Sequence, residues 1–141
     1  MLKGISQAIS PELIKILMEM GHGDEIVLAD GNYPAASNAS RLVRADGHGV
    51  PELLEAILNF FPLDYYVEHP VALMDVVPGD TYKPPLWKQY KAIVRKYDKR
   101  PFEYIPRFDF YERAKKAYAI VATGERARYA NVILKKGVVV E

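Results

Sequence analysis

The chain has 141 residues, half of them apolar and about a quarter charged, with a formal net charge of +1. That size predicts one domain over residues 1–141 with its own hydrophobic core. Near-neutral charge argues against electrostatic nucleic-acid binding, and the absence of cysteine excludes thiolate chemistry and thiolate zinc sites. No apolar run reaches membrane-spanning length and the N-terminus lacks signal-peptide order, so a cytoplasmic domain with no membrane contact is expected.

Ser10-Pro11-Glu12 predicts a helix start, with Ser10 as cap, Pro11 in the first turn and Glu12 at the positive end of the dipole. Leu13, Ile16, Leu17 and Met20 share one helical face, and Gly21 is expected to end the helix. Ile26 to Ala29 reads as a central strand, apolar on both faces. Asp30 to Ser40 reads as a turn followed by a polar loop, and Leu42 to Ala45 as a short strand. Pro51 opens a second helix carrying Leu53, Leu54, Ile57 and Leu58, and Val71 to Val77 forms the next strand. A third helix is expected from about Pro85 to Tyr97, with Lys88, Lys91, Arg95 and Lys96 as a solvated face. Asp98 to Pro106 reads as loop, and Phe108 to Ala117 as a helix preceded by Arg107. Tyr118 to Thr123, Asn131 to Leu134 and Val138 to Val140 complete a set of six candidate strands.

Helices alternating with apolar strands predict an α/β fold with a mainly parallel, mixed sheet of about six strands. Short C-terminal connections suggest some antiparallel pairing. In such sheets ligands sit beyond the strand ends, so the loops there hold the candidate site.

His22, between two glycines, carries an imidazole, a side-chain type suited to proton transfer; it also reads as a solvated loop histidine. Asp30, at the end of the first strand, is a ligand position or a turn residue bonding its own backbone. Asp75 lies inside an apolar strand and is assigned no role. Arg107 sits against the helix dipole, which invites a ligand for its donor fork; the alternative is loop surface offset by Asp109. Tyr129, Ala130 and Asn131 offer a phenol, a backbone amide and a carboxamide, suited to a polyhydroxyl ligand or simply to a turn. The three histidines lack metal-ligand spacing, no phosphate loop precedes a helix, and no Gly-x-Ser-x-Gly elbow is present. Cofactor-free, metal-free acid–base chemistry, or binding alone, remains.

Met20-Gly21-His22-Gly23-Asp24-Glu25, Arg44-Ala45-Asp46-Gly47, Phe110-Tyr111-Glu112-Arg113-Ala114, Thr123-Gly124-Glu125-Arg126-Ala127 and Leu134-Lys135-Lys136-Gly137-Val138, with Ile9 to Leu13, together resemble the family of L-fucose mutarotases and D-ribose pyranases over essentially the whole length. The Phe-Tyr-Glu-Arg and Thr-Gly-Glu-Arg segments resemble its fucose branch. The resemblance implies a three-layer α/β/α sandwich, a monosaccharide ligand, a homo-oligomer of decamer type, His22 as proton donor, and Asp30, Arg107 and Tyr129 to Asn131 as sugar-holding residues. Two departures from the family pattern stand at Ala130, where glycine is expected, and at Asn32-Tyr33-Pro34, where His-Phe-Pro is expected. Alanine would keep the amide donor but narrow the backbone.

The implied reaction interconverts α and β anomers by ring opening and reclosure. D-ribose pyranase activity and a non-catalytic sugar-binding module are the competing readings. His22 and Asp30 stand eight positions apart along a mostly extended segment, which separates them by about 20 Å within one chain. Either the chain bends sharply at Gly23, or one sugar is contacted by residues of two neighbouring subunits, and the second is the expectation.

Overall fold

The computed structural model describes residues 1–141. In chain order the elements are α1 (Pro11–Glu19), β1 (Glu25–Ala29), α2 (Ala35–Asn38), β2 (Leu42–Ala45), α3 (Val50–Leu58), β3 (Val71–Met74), α4 (Trp87–Val94), β4 (Glu103–Ile105), α5 (Arg107–Lys116), β5 (Ala119–Thr123) and β6 (Val132–Lys135). The strands form one sheet in the order β2-β5-β1-β6-β3-β4. β6 alone runs antiparallel, between β1 and β3, and every other pairing is parallel.

Alternation along the strands sorts the core into two layers. Ile26 and Leu28 of β1 pack with Leu13 and Leu17 of α1, Leu53 and Ile57 of α3, and Tyr90 and Ile93 of α4. Val27 and Ala29 face the other way, against Ala35 of α2 and Phe110 and Ala114 of α5. This is the expected α/β fold, with helices on both faces of a mixed sheet. The first layer holds 27 buried residues and the second 13, so most of the apolar stabilisation lies beneath α1, α3 and α4.

Ser10 caps α1 as expected, its hydroxyl accepting from the Leu13 amide at 3.1 Å. The end of α1 differs. Glu19 is its last residue, Met20 is an extended C-cap, and the left-handed glycine is Gly23 (φ +87°), which turns the chain into β1. α2 lies where loop was expected, in a four-residue turn too short to show a period. α3 starts one residue early, at Val50, with Pro51 still in its first turn. α4 is confined to Trp87–Val94, and β3 stops at Met74. β4 was hidden in the expected Asp98–Pro106 loop because it is a three-residue edge strand flanked by Pro101 and Pro106. Val138 to Val140 forms no strand, and β6 crosses to the sheet centre instead of pairing with β5. α5 begins at Arg107 itself.

Because β1 to β5 all run one way, their C-terminal ends and the N-terminal end of β6 open on the same edge of the sheet. Asp30, Asp75, Pro106 and Asn131 are thereby brought to that edge from four distant parts of the chain.

Candidate active site

At that edge lies a cavity of about 250 Å3 lined by Asp30, Tyr33, Arg107, Tyr111, Tyr129 and Asn131, with Asn32, Met74, Val77 and Arg128 completing the wall. It falls below the roughly 300–1,000 Å3 of pockets for drug-sized ligands, as suits a smaller molecule. A wider groove on the far side of Asp30 and Tyr33 is lined by small residues and the mutually paired Arg44 and Asp46. Arg107, Tyr129 and Asn131 meet Asp30 in the first and do not line the second.

Asp30 is 5% exposed and tightly held. Its Oδ1 accepts from the Asn32 and Tyr33 amides, both at 3.0 Å, and its Oδ2 accepts from the Ala130 amide at 3.4 Å. Burial raises its pKa, the three backbone bonds pull it back, and the charge of Glu125 adds to the rise, leaving it above the usual carboxylate value. A carboxylate raised in this way holds a proton more readily, which suits a base that must take one up. The Asp30 amide donates to Asn131 Oδ1 at 2.7 Å. That bond leaves Asn131 Nδ2, which has no partner in the protein, as the donor facing the cavity.

The Tyr129–Asn131 segment is clamped from α4. Trp87 Nε1 donates to the Tyr129 carbonyl at 2.7 Å, and the buried Tyr90 hydroxyl donates to the Ala130 carbonyl at 2.9 Å. The left-handed residue here is Tyr129 (φ +54°), at a cost of about 1 kcal/mol for a side chain other than glycine. Ala130 is not in that region, so the backbone asks for no glycine at 130. Its amide bonds Asp30, and Ala130 is outside the cavity wall. Ala130 therefore acts on the site through Asp30.

Arg107, at the start of α5, has no carboxylate partner: Asp109 makes no ion pair with it. Its guanidinium stacks near Phe108 and Tyr111, at 5.1 and 5.4 Å, and its Nε donates to the Tyr111 hydroxyl at 3.2 Å. The terminal nitrogens remain for a ligand. Tyr33, Tyr111 and Arg128 also line the cavity. None was singled out as sugar-holding, although Tyr33 stands in the Asn32-Tyr33-Pro34 departure and Tyr111 in the Phe-Tyr-Glu-Arg segment.

His22 is at the opposite end of the sheet. Its Nε2 lies 3.2 Å from Asp64 Oδ1 and its ring 5.3 Å from that of Tyr66. Asp64 is buried, which disfavours its charge, but the Tyr66 amide and His22 outweigh that and hold its pKa below the usual value. An ionised carboxylate only accepts, so Nε2 carries the proton and Nδ1 is left toward solvent on a side chain that is 45% exposed. Asp64 was not singled out in the sequence, since its partner is 42 residues away. Arg100 holds the same loop, donating to the Asp64 carbonyl at 2.8 Å and to the Val67 carbonyl, and is itself paired with Asp98. The turn at Gly23 does not bring His22 back, because β1 runs straight from it to Asp30. Within one chain the two residues do not meet. No group of three or more histidine, aspartate or glutamate side chains gathers where it could hold a metal ion.

Residues 3–139 match the RbsD / FucU transport protein family. The L-fucose mutarotase of Actinobacillus pleuropneumoniae serotype 5b (strain L20) is 55% identical over 140 residues, 98% of this chain and 97% of that protein. The human fucose mutarotase is 54% identical over 144 residues, covering 97% and 94%. Among solved structures, the Streptococcus pneumoniae fucose mutarotase in complex with L-fucose superposes with a TM-score of 0.95 at 57% identity, covering 99% of this chain and 100% of that one.

Proposed function

The chain belongs to the RbsD / FucU transport protein family, and we propose that it is a cofactor-free mutarotase interconverting the α and β anomers of L-fucose. The observation that carries the reading is the cavity at the strand ends. Its fixed groups are hydrogen-bond donors and acceptors suited to hydroxyls, beside a buried carboxylate whose pKa is raised. A cytoplasmic enzyme of one domain over residues 1–141 fits a chain made without cysteine.

Arg107, Tyr129 and Asn131 hold the sugar hydroxyls. Protonated His22 donates to the ring oxygen, and Asp30 takes the proton of the anomeric hydroxyl. The C1–O5 bond opens to the aldehyde, the C1–C2 bond rotates, and reclosure returns both protons. No electrons leave the sugar and no covalent intermediate forms. Since His22 and Asp30 lie at opposite ends of β1, His22 is supplied by a neighbouring subunit, in a homo-oligomer of decamer type whose active sites lie at subunit interfaces. The exposure of His22, Tyr66 and Phe108 supports contact surfaces at both ends of the sheet.

Saturation-transfer NMR of anomer exchange tests this with L-fucose, with D-ribose as the comparison sugar. Wild-type protein accelerates L-fucose exchange, and His22→Ala reduces the acceleration by about 10²–10⁴-fold. Exchange no faster than in buffer leaves at most a sugar-binding module. Acceleration that survives His22→Ala removes His22 as the acid.

A further inference from the structure

The loop between β3 and α4 carries an acidic residue that the mechanism above does not use. Asp80 follows the left-handed Gly79 (φ +87°), and its amide is tied to the Val77 carbonyl at 3.1 Å. Its Oδ1 accepts from the Tyr82 amide at 2.9 Å, and its Oδ2 lies 2.7 Å from the Tyr129 hydroxyl. The Tyr82 ring stacks on that of Tyr129 with centroids 6.0 Å apart, and the Arg128 guanidinium covers Tyr82 at 4.1 Å. The loop is thus locked onto the cavity wall through Tyr129.

We propose that Asp80 is a positioning residue that fixes hydrogen-bond polarity in the cavity: it takes the Tyr129 phenolic proton, so Tyr129 can only accept from the ligand. A carboxylate has no proton to give, and a phenol has one. With that proton directed to Asp80, a lone pair on Tyr129 Oη is what remains for a sugar hydroxyl. Charge supports the direction of the bond. Asp80 is held below the usual carboxylate value, first by the Tyr129 hydroxyl and then by the Tyr82 amide, so it is ionised at neutral pH. Tyr129 is correspondingly raised, first by its bond to Asp80.

Another of the three phenols that line the cavity is set the opposite way. Tyr111 Oη accepts from Arg107 Nε at 3.2 Å, which leaves its proton for the ligand. Asn131 presents Nδ2 because its oxygen is taken. The cavity therefore offers donors at Tyr111, Asn131 and Arg107 and acceptors at Tyr129 and the Asp30 carboxylate. The sugar hydroxyl at Tyr129 must donate.

The inference rests on the mutarotase reading, and fluorinated sugars separate the two. In a deoxyfluoro-L-fucose, fluorine replaces one hydroxyl and cannot donate. The binding of L-fucose and its 2-, 3- and 4-deoxyfluoro analogues is measured by calorimetry for wild type, Asp80→Asn, Asp80→Ala and Tyr129→Phe, with thermal melts confirming folding. In wild type, one analogue binds roughly tenfold more weakly than L-fucose, the value of about one hydrogen bond. Tyr129→Phe abolishes that discrimination at the same carbon. Asp80→Asn reduces it severalfold while retaining the fold, because an amide can donate to Tyr129 and release the phenolic proton toward fluorine. A role confined to holding the loop would instead weaken all four sugars equally, and that result overturns the inference, as does full discrimination surviving in both Asp80 variants. Wild-type protein that neither binds L-fucose nor speeds its anomer exchange overturns the mutarotase reading together with this inference.

Discussion

At the scale of single residues, the His22–Asp64 pair makes a prediction about pH. Asp64 has a folded pKa below its unfolded value of about 3.9, so the stability it contributes is fully present above that pH and is lost as pH falls through the folded pKa. Asp64→Asn is expected to cost about 1–2 kcal/mol near neutrality by weakening the bonds from His22 and the Tyr66 amide. In urea unfolding at a series of pH values, the gap between wild type and variant stays constant above about pH 5 and narrows below about pH 4. A gap independent of pH down to that range would show that Asp64 is not ionised by these contacts. Asp64 escaped the sequence reading, as did Arg128, because their partners are set by the fold. His22, Asp30, Arg107, Tyr129 and Asn131 could be picked out because each stands beside a glycine, a strand end or a helix end, where local geometry brings a side chain to an edge of the sheet. Asp30 reads in the sequence as turn residue or ligand; in the structure its Oδ1 bonds the turn amides, and the residue also lines the cavity.

At the scale of elements, several motif residues serve the scaffold. Glu125 accepts from the Val50 amide at the start of α3 (3.2 Å) and from the Ala127 amide (3.1 Å), taking the place of a capping side chain that Gly49 lacks. Glu125→Ala leaves both amides without that acceptor and is expected to cost about 1–2 kcal/mol, read as a lower Tm. Gly124 packs so closely that a Cβ would lie 1.9 Å from the Asp46 carbonyl oxygen. Gly124→Ala is expected to destabilise by about 1–3 kcal/mol through forced backbone movement, and a melt unchanged from wild type would show that the β2 and β5 loops separate easily. Arg113, in the Phe-Tyr-Glu-Arg segment, ties α5 to Glu25 of β1 and Glu103 of β4. Long amphipathic or fully apolar elements were legible from period and composition, as for α1, α3, β1 and β5. α2 and β4 were not, because three or four residues carry too little pattern to outweigh neighbouring prolines. The position of β6 between β1 and β3 depends on non-local pairing that no local pattern encodes.

At the scale of the whole molecule, β1 acts as a spacer. One end brings Asp30 to the cavity and the other carries His22 and its Asp64 support about 20 Å away. In the proposed mechanism one chain holds two half-sites facing opposite directions, and a complete site takes the cavity of one subunit and the imidazole of the next. The measurement that tests this most directly is anomer exchange of L-fucose by mixed oligomers. His22→Ala and Arg107→Ala subunits, each inactive alone, are co-expressed and the mixed oligomers purified. Random mixing places an intact His22 against an intact cavity at about a quarter of the sites, so exchange is expected to return to about a quarter of the wild-type rate. Mixed oligomers no more active than either variant alone would contradict a site shared between subunits.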